Sequence, residues 1–193
     1  MFKQYKLKNY KFILVLFVVI LNVIGILLIG SAKPSVQGKQ IVGMIAGLSI
    51  MVILSLIDYN FILKFAWLIY LFMLGTLLLV MFAGDDAGGA QRWFEIGGFR
   101  FQPSELAKIL IRLFFAYFFM KHEEKINTPK VLIMSLILAG IPLALILKQP
   151  DLSTTIVTAL IFAALLFVAG LSYKIVVGVL AVSVPSAIIL FTL

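Results

Sequence analysis

The feature that most constrains this chain is a succession of apolar runs, each long enough to cross a bilayer and broken by short polar segments. The runs are Phe12–Ile29, Ile41–Ile57, Phe65–Phe82, Pro103–Met120, Val131–Leu147, Ser153–Val168 and Ile175–Leu193. A membrane-spanning helix takes about 20 mostly apolar residues. Hydrocarbon offers no partner to a backbone N–H or C=O, so runs of this kind must close their hydrogen bonds internally as helices. The expected fold is all-α, a polytopic transmembrane helix bundle of about seven spans that forms a single domain over residues 1–193. Composition agrees: 63% of residues are hydrophobic and 12% charged, and the mean hydropathy is +1.18, beyond what a soluble core needs. With no cysteine, disulfides and thiolate metal sites are excluded.

The formal charge of +8 does not point to nucleic acid, because the basic residues are scattered through the segments between apolar runs. They read as orientation signals instead. Lys3, Lys6, Lys8 and Lys11 precede a run too long for a signal peptide, with further spans behind it. A cytoplasmic N-terminus puts those four with Lys64, Lys121, Lys125, Lys130 and Lys174 inside. Lys33, Lys39, Arg92, Arg100 and Lys148 then fall outside, a bias of nine against five. The outer basic residues would attract a phosphate-bearing substrate. In this arrangement Ser31–Gln40 is a short outer loop, Asp58–Lys64 a cytoplasmic turn, residues 84–102 the long outer loop between spans three and four, and Pro142 a kink in span five. The expected location is the plasma membrane, crossed many times.

Within the outer loop, Trp93-Phe94-Glu95-Ile96 and Phe99-Arg100-Phe101-Gln102 flank Gly97-Gly98, the pattern of a two-residue hairpin. Its aromatic rings suit the headgroup level, so an interfacial anchor accounts for it as well as a site does. Pro103 fits the first helical position, and Glu105 in the first turn favours the positive helix end. Glu105, Lys108 and Arg112 are spaced by three and then four residues, on one side of the helix. Each such charge at the bilayer centre costs ~2.5 to 3.5 kcal/mol on the insertion scale, so this side faces other helices or water. It is either a Glu105–Lys108 ion pair that locks the helix, or a site. Asp151, before Ser153, Thr154 and Thr155, is a helix cap or a site residue. His122 reads as a solvated loop residue. For Asp85 and Asp86 a cation site and a loop tip both stay open.

Arg92-Trp93, the glycine pair and Phe101-Gln102-Pro103-Ser104-Glu105-Leu106-Ala107-Lys108, with Gln149-Pro150-Asp151-Leu152 further on, closely resemble the motifs of the SEDS family (shape, elongation, division and sporulation), which includes RodA, FtsW and SpoVE. The resemblance covers the whole chain and is RodA-like. It implies a peptidoglycan glycosyltransferase that polymerises lipid II, the undecaprenyl-pyrophosphate-linked disaccharide-pentapeptide, alongside a class B penicillin-binding protein transpeptidase, with membrane lipid around it and no nucleic acid partner. Glu105 and Lys108 would be supporting catalytic residues in a cavity open to the outside. Arg92, Glu105, Lys108 and Asp151 would bind substrate. No metal ligand set is implied, and a divalent cation is the one cofactor left open.

Family members are longer, with an essential aspartate in a large outer loop beyond the seventh span. The expectation is therefore that these residues are the N-terminal portion of such a protein and are inactive alone. Ser153, where the motif has glycine, is a smaller departure. A flippase for the lipid-linked precursor and a non-catalytic membrane scaffold are the competing readings.

Overall fold

The computed structural model describes residues 11–86, 91–96, 99–175 and 177–178, in two units, Met1–Lys64 and Phe65–Leu193. Nearly all of the seventh expected span and the Gly97-Gly98 turn lie outside the described residues. The first unit holds α1 (Phe12–Ala32), α2 (Pro34–Ser55) and the short α3 (Tyr59–Leu63). The second holds α4 (Ala66–Ala83), β1 (Asp85–Asp86), β2 (Gln91–Ile96), β3 (Phe99–Phe101), α5 (Pro103–Lys121), a 3-10 turn at Glu123–Lys125, α6 (Pro129–Lys148) and α7 (Leu152–Val168). Among the described residues α1, α2, α4 and α6 are long and apolar enough to cross a membrane, and α7 is a shorter apolar helix. The fold is the expected helical membrane bundle.

The loop expected at Ser31–Gln40 is helical apart from Lys33, which ends α1 and begins α2. Pro34 occupies the first turn of α2, where its missing N–H costs nothing. Gln37, Lys39 and Gln40 are adequate helix formers, so a polar segment here extends a helix instead of interrupting it. The two helices meet where Gln37 approaches Gly30 and donates to the Ile26 carbonyl at 3.5 Å. At the expected turn Asp58 caps α3, accepting from the Asn60 N–H at 2.9 Å.

In the second unit each helix turns one stripe inward. Tyr70, Met73, Leu77 and Val80 of α4 face Ile111, Phe114, Phe115 and Phe118 of α5; Ser135, Ala139, Pro142 and Ile146 of α6 and Thr154, Thr158, Phe162 and Leu166 of α7 complete the core. These spacings of three and four are the helical period. Rings knit the centre: Trp67 and Tyr70 lie 5.1 and 4.4 Å from Phe114, and Phe162 lies 4.8 Å from Phe115.

α6 runs unbroken through Pro142. A proline there removes the N–H that the Leu138 carbonyl would accept. Tyr70 supplies a replacement, its hydroxyl donating to Leu138 O at 2.9 Å and tying α4 to α6. Tyr70→Phe should therefore leave a buried carbonyl unpaired and cost about 1–3 kcal/mol, with much of that cost removed in a Pro142→Ala background. Unfolding of the four variants in detergent checks the coupling.

α5 has 19 residues, or about 28 Å at 1.5 Å per residue, enough to carry the chain from the β-hairpin at its start to the Lys121–Lys130 loop at its end. Single cysteines at Arg100 and Glu124 should accordingly react with an impermeant maleimide from opposite sides of the membrane, Arg100→Cys from outside. Labelling of both from one side would overturn this topology.

Candidate functional site at the hairpin end of the helices

Four helix ends of the second unit gather at the hairpin: the last turn of α4, the first of α5, the last of α6 and the first of α7. β2 and β3 pair antiparallel with Phe94 opposite Phe101, Glu95 opposite Arg100 and Ile96 opposite Phe99, the register of a two-residue connection. Arg100 Nε lies 3.7 Å from Glu95 Oε2, with both side chains exposed, a surface pair of little energetic weight. Phe99 and Phe101 are exposed, as interfacial anchors are. β1 pairs with β2 through an irregularity between Asp85 and Asp86. Gly84 makes the passage from α4 to the strands, since a Cβ there would collide with the Val80 carbonyl and lie 3.3 Å from the Trp93 carbonyl oxygen.

Pro103 opens α5 and Glu105 sits in its first turn, as the sequence indicated. Lys108 Nζ lies 2.8 Å from Glu105 Oε1. Lys108 is mostly covered, whereas the Glu105 side chain is 57% exposed. Arg112 is also exposed, on the same side of α5. The charged side of α5 is thus an open face, and its polar groups are not consumed by the aromatic core behind it.

Asp151 lies apart from that pair in the hydrogen-bond network. It caps α7: Oδ1 accepts from the Thr154 N–H and the Ser153 hydroxyl, each at 3.1 Å. Oδ2 accepts from Gln102 Nε2 at 2.9 Å. The residue is only 5% exposed. Burial opposes its ionisation, but the Thr154 N–H, the Thr154 and Ser153 hydroxyls and the charge of Arg92 outweigh burial and hold the carboxyl below its ordinary pKa.

Sequence reasoning missed Gln102 and Gln149 as structural actors. Gln149 is 3% exposed and donates from Nε2 to the Leu77 carbonyl at 3.1 Å, joining the end of α6 to α4. The signal was present as a repeated dipeptide, Gln102-Pro103 and Gln149-Pro150, ahead of an acidic residue in each case. Among the described residues three buried polar atoms lack a hydrogen-bond partner, Arg92 Nε, Ser104 Oγ and Gln149 Oε1, and all three belong to this end. No three His, Cys, Asp or Glu side chains come together among the described residues to hold a metal.

The Asp151 carboxyl has a lower pKa folded than unfolded, so it adds stability above the unfolded value, near pH 3.9, and that contribution disappears as pH falls through the folded value. Asp151→Asn should remove this part of the acid dependence. The two melting-temperature curves against pH should separate above about pH 4 and draw together as pH falls below it, the unsubstituted chain being the more stable.

The model of a family described as cell cycle protein, and named for FtsW, RodA and SpoVE, matches residues 6–193. A probable peptidoglycan glycosyltransferase FtsW of Geobacter metallireducens is 30% identical over 194 residues, covering 93% of this chain and 52% of that protein. The peptidoglycan glycosyltransferase RodA of Treponema pallidum is 31% identical over 196 residues, covering 96% and 44%. Among solved structures, Thermus thermophilus rod shape determining protein RodA superposes with a TM-score of 0.76 at 29% identity, over 91% of this chain and 59% of that one. A chain from a peptidoglycan synthase complex that coordinates polymerization and crosslinking gives 0.79 at 28% identity, over 93% and 55%. The chain spans about half the length of the curated relatives it matches.

Proposed function

This chain belongs to the cell cycle protein family of FtsW, RodA and SpoVE, and from that premise we propose that it contributes part of the site of a membrane glycosyltransferase that polymerises lipid II. The observation that carries the reading is the Glu105–Lys108 pair at 2.8 Å on the open face of α5, beside the hairpin. Joining sugars from such a donor requires an attacking hydroxyl to lose its proton and a pyrophosphate to leave with its charge met. Lys108 holds Glu105 in one orientation, ready to align the carboxylate that takes up the proton, which the family resemblance places outside these residues. Arg92, with a buried Nε lacking a hydrogen-bond partner among the described residues, meets the pyrophosphate. The partner is a class B penicillin-binding protein transpeptidase, a reading supported by the similarity to a chain of a polymerising and crosslinking complex. The working location is the outer leaflet of the bacterial plasma membrane.

A flippase remains the second reading because Arg112 continues the charged side of α5 a turn deeper, as a translocation path would. Vesicle assays separate the two: a flippase moves lipid II across the bilayer without making glycan.

The test uses a chimaera in which residues 6–193 replace the matched part of Treponema pallidum RodA, reconstituted with lipid II and the partner transpeptidase. Glu105→Ala and Lys108→Ala should each lower the polymerisation rate by about 100-fold or more while the protein stays folded. Normal rates in both would remove these residues from the site.

A further inference from the structure

Gln102 is the N-cap of α5, yet its side chain makes no bond to its own helix. Its amide instead reaches Asp151, 49 positions away in sequence, which is the N-cap of α7. Two helix starts are thus joined cap to cap. An N-cap side chain ordinarily bonds an N–H of its own helix, so this one has been diverted from local capping to a contact between helices. Asp151 in turn is committed: both carboxylate oxygens accept hydrogen bonds, from Gln102, Ser153 and Thr154, and burial leaves its side chain little exposed surface.

We propose that Asp151 is a positioning residue, acting through Gln102 to fix the first turn of α5 and with it the direction in which Glu105 and Lys108 present their charges. The sequence resemblance implied substrate contact for Asp151; the geometry gives it this different task. Glu105 follows Gln102 by three residues, with its N–H bonded to the Gln102 carbonyl at 3.1 Å, so displacement of the cap displaces the carboxylate. Gln149 reinforces the same corner from two residues before Asp151 through its bond to the Leu77 carbonyl. The functional half of this inference rests on the glycosyltransferase reading; the geometric half does not.

A polarity exchange tests it. Gln102→Glu sets a carboxylate against Asp151 and should part the two caps. Asp151→Asn alone should be mild, since rotation of the Gln102 amide restores a donor–acceptor match. The double variant Gln102→Glu/Asp151→Asn rebuilds the bond with donor and acceptor reversed and no charge at position 151. Spin labels at Ile109 and Ile156, both exposed, report the α5–α7 distance in the full chain in nanodiscs. It should be narrow in the unsubstituted chain, broad in Gln102→Glu and narrow again in the double variant. In the chimaera assay the double variant should recover at least half of the rate that Gln102→Glu loses. A distance that stays broad in the double variant overturns the clamp. A narrow distance with no recovered polymer, where the unsubstituted chimaera is active, overturns the positioning role and returns the charge of Asp151 to the substrate. An inactive unsubstituted chimaera counts against the glycosyltransferase reading alone, while the distances still decide the clamp.

Discussion

Hydrocarbon gives a polar group nothing to bond, and this constraint determines how most polar side chains of the second unit are used. Thr76, Ser135 and Thr158 return their hydroxyl protons to carbonyls of their own helices at 2.7–2.8 Å. Tyr70 answers the carbonyl that Pro142 strips of its donor. At the far end of α5, the Asn127 side chain bonds the Gly170 carbonyl at 3.0 Å and the Ser172 N–H at 2.7 Å, joining the loops before α6 and after α7. Against that background the side-chain atoms of Arg92, Ser104 and Gln149 that lack a partner among the described residues share one location. They gather where the hairpin, the Glu105–Lys108 pair and the linked caps meet.

The apolar runs were enough to read the helices, because a lipid-facing helix must be apolar over a length that hydrocarbon thickness fixes. The start of α2 was misread for a related reason: Gln37, Gly38, Lys39 and Gln40 are polar, and polarity marks the edge of the hydrocarbon, not the end of a helix. Pro34 was the better marker. The hairpin was legible from Gly97-Gly98 between aromatic strands, and the capping role of Asp151 from the hydroxyl residues after it. The use of Gln102 was not. Local rules assign an N-cap to its own helix, and no periodicity reports a partner on another helix. Nor could spacing say what lies opposite Glu105, Lys108 and Arg112, since a helical wheel gives a common side without naming its neighbour.

The open face of α5 follows from an asymmetry in how that helix is built. Its inner side is crowded with phenylalanine, Phe114, Phe115, Phe118 and Phe119 all being buried, so α5 is fixed in rotation by rings that cannot be turned outward without losing the core. The flank that carries Glu105 and Arg112 is thereby held at the exposed edge of that core, with Lys108 between the Phe115 and Phe119 positions and mostly covered. Such an arrangement lets charges be displayed without relying on their own contribution to stability. An ion pair separated by three residues along a helix is worth only about 0.5 kcal/mol, far too little to orient a helix. The aromatic core does the orienting.

The charge at this end can be weighed the same way. α5 and α7 both point their N-termini at the hairpin, each bearing roughly half a positive charge, and each has one carboxylate close by, Glu105 and Asp151. Asp151 is spent on the start of α7 and on Gln102. Glu105 shares its charge with Lys108, so the start of α5 is only partly neutralised. Arg92 adds a further cation beside Asp151. What remains is a positive surplus at the hairpin end of α5, short in range because salt screens beyond about 8 Å. The hydrogen bond between Gln102 and Asp151 holds the starts of α5 and α7 together around that surplus.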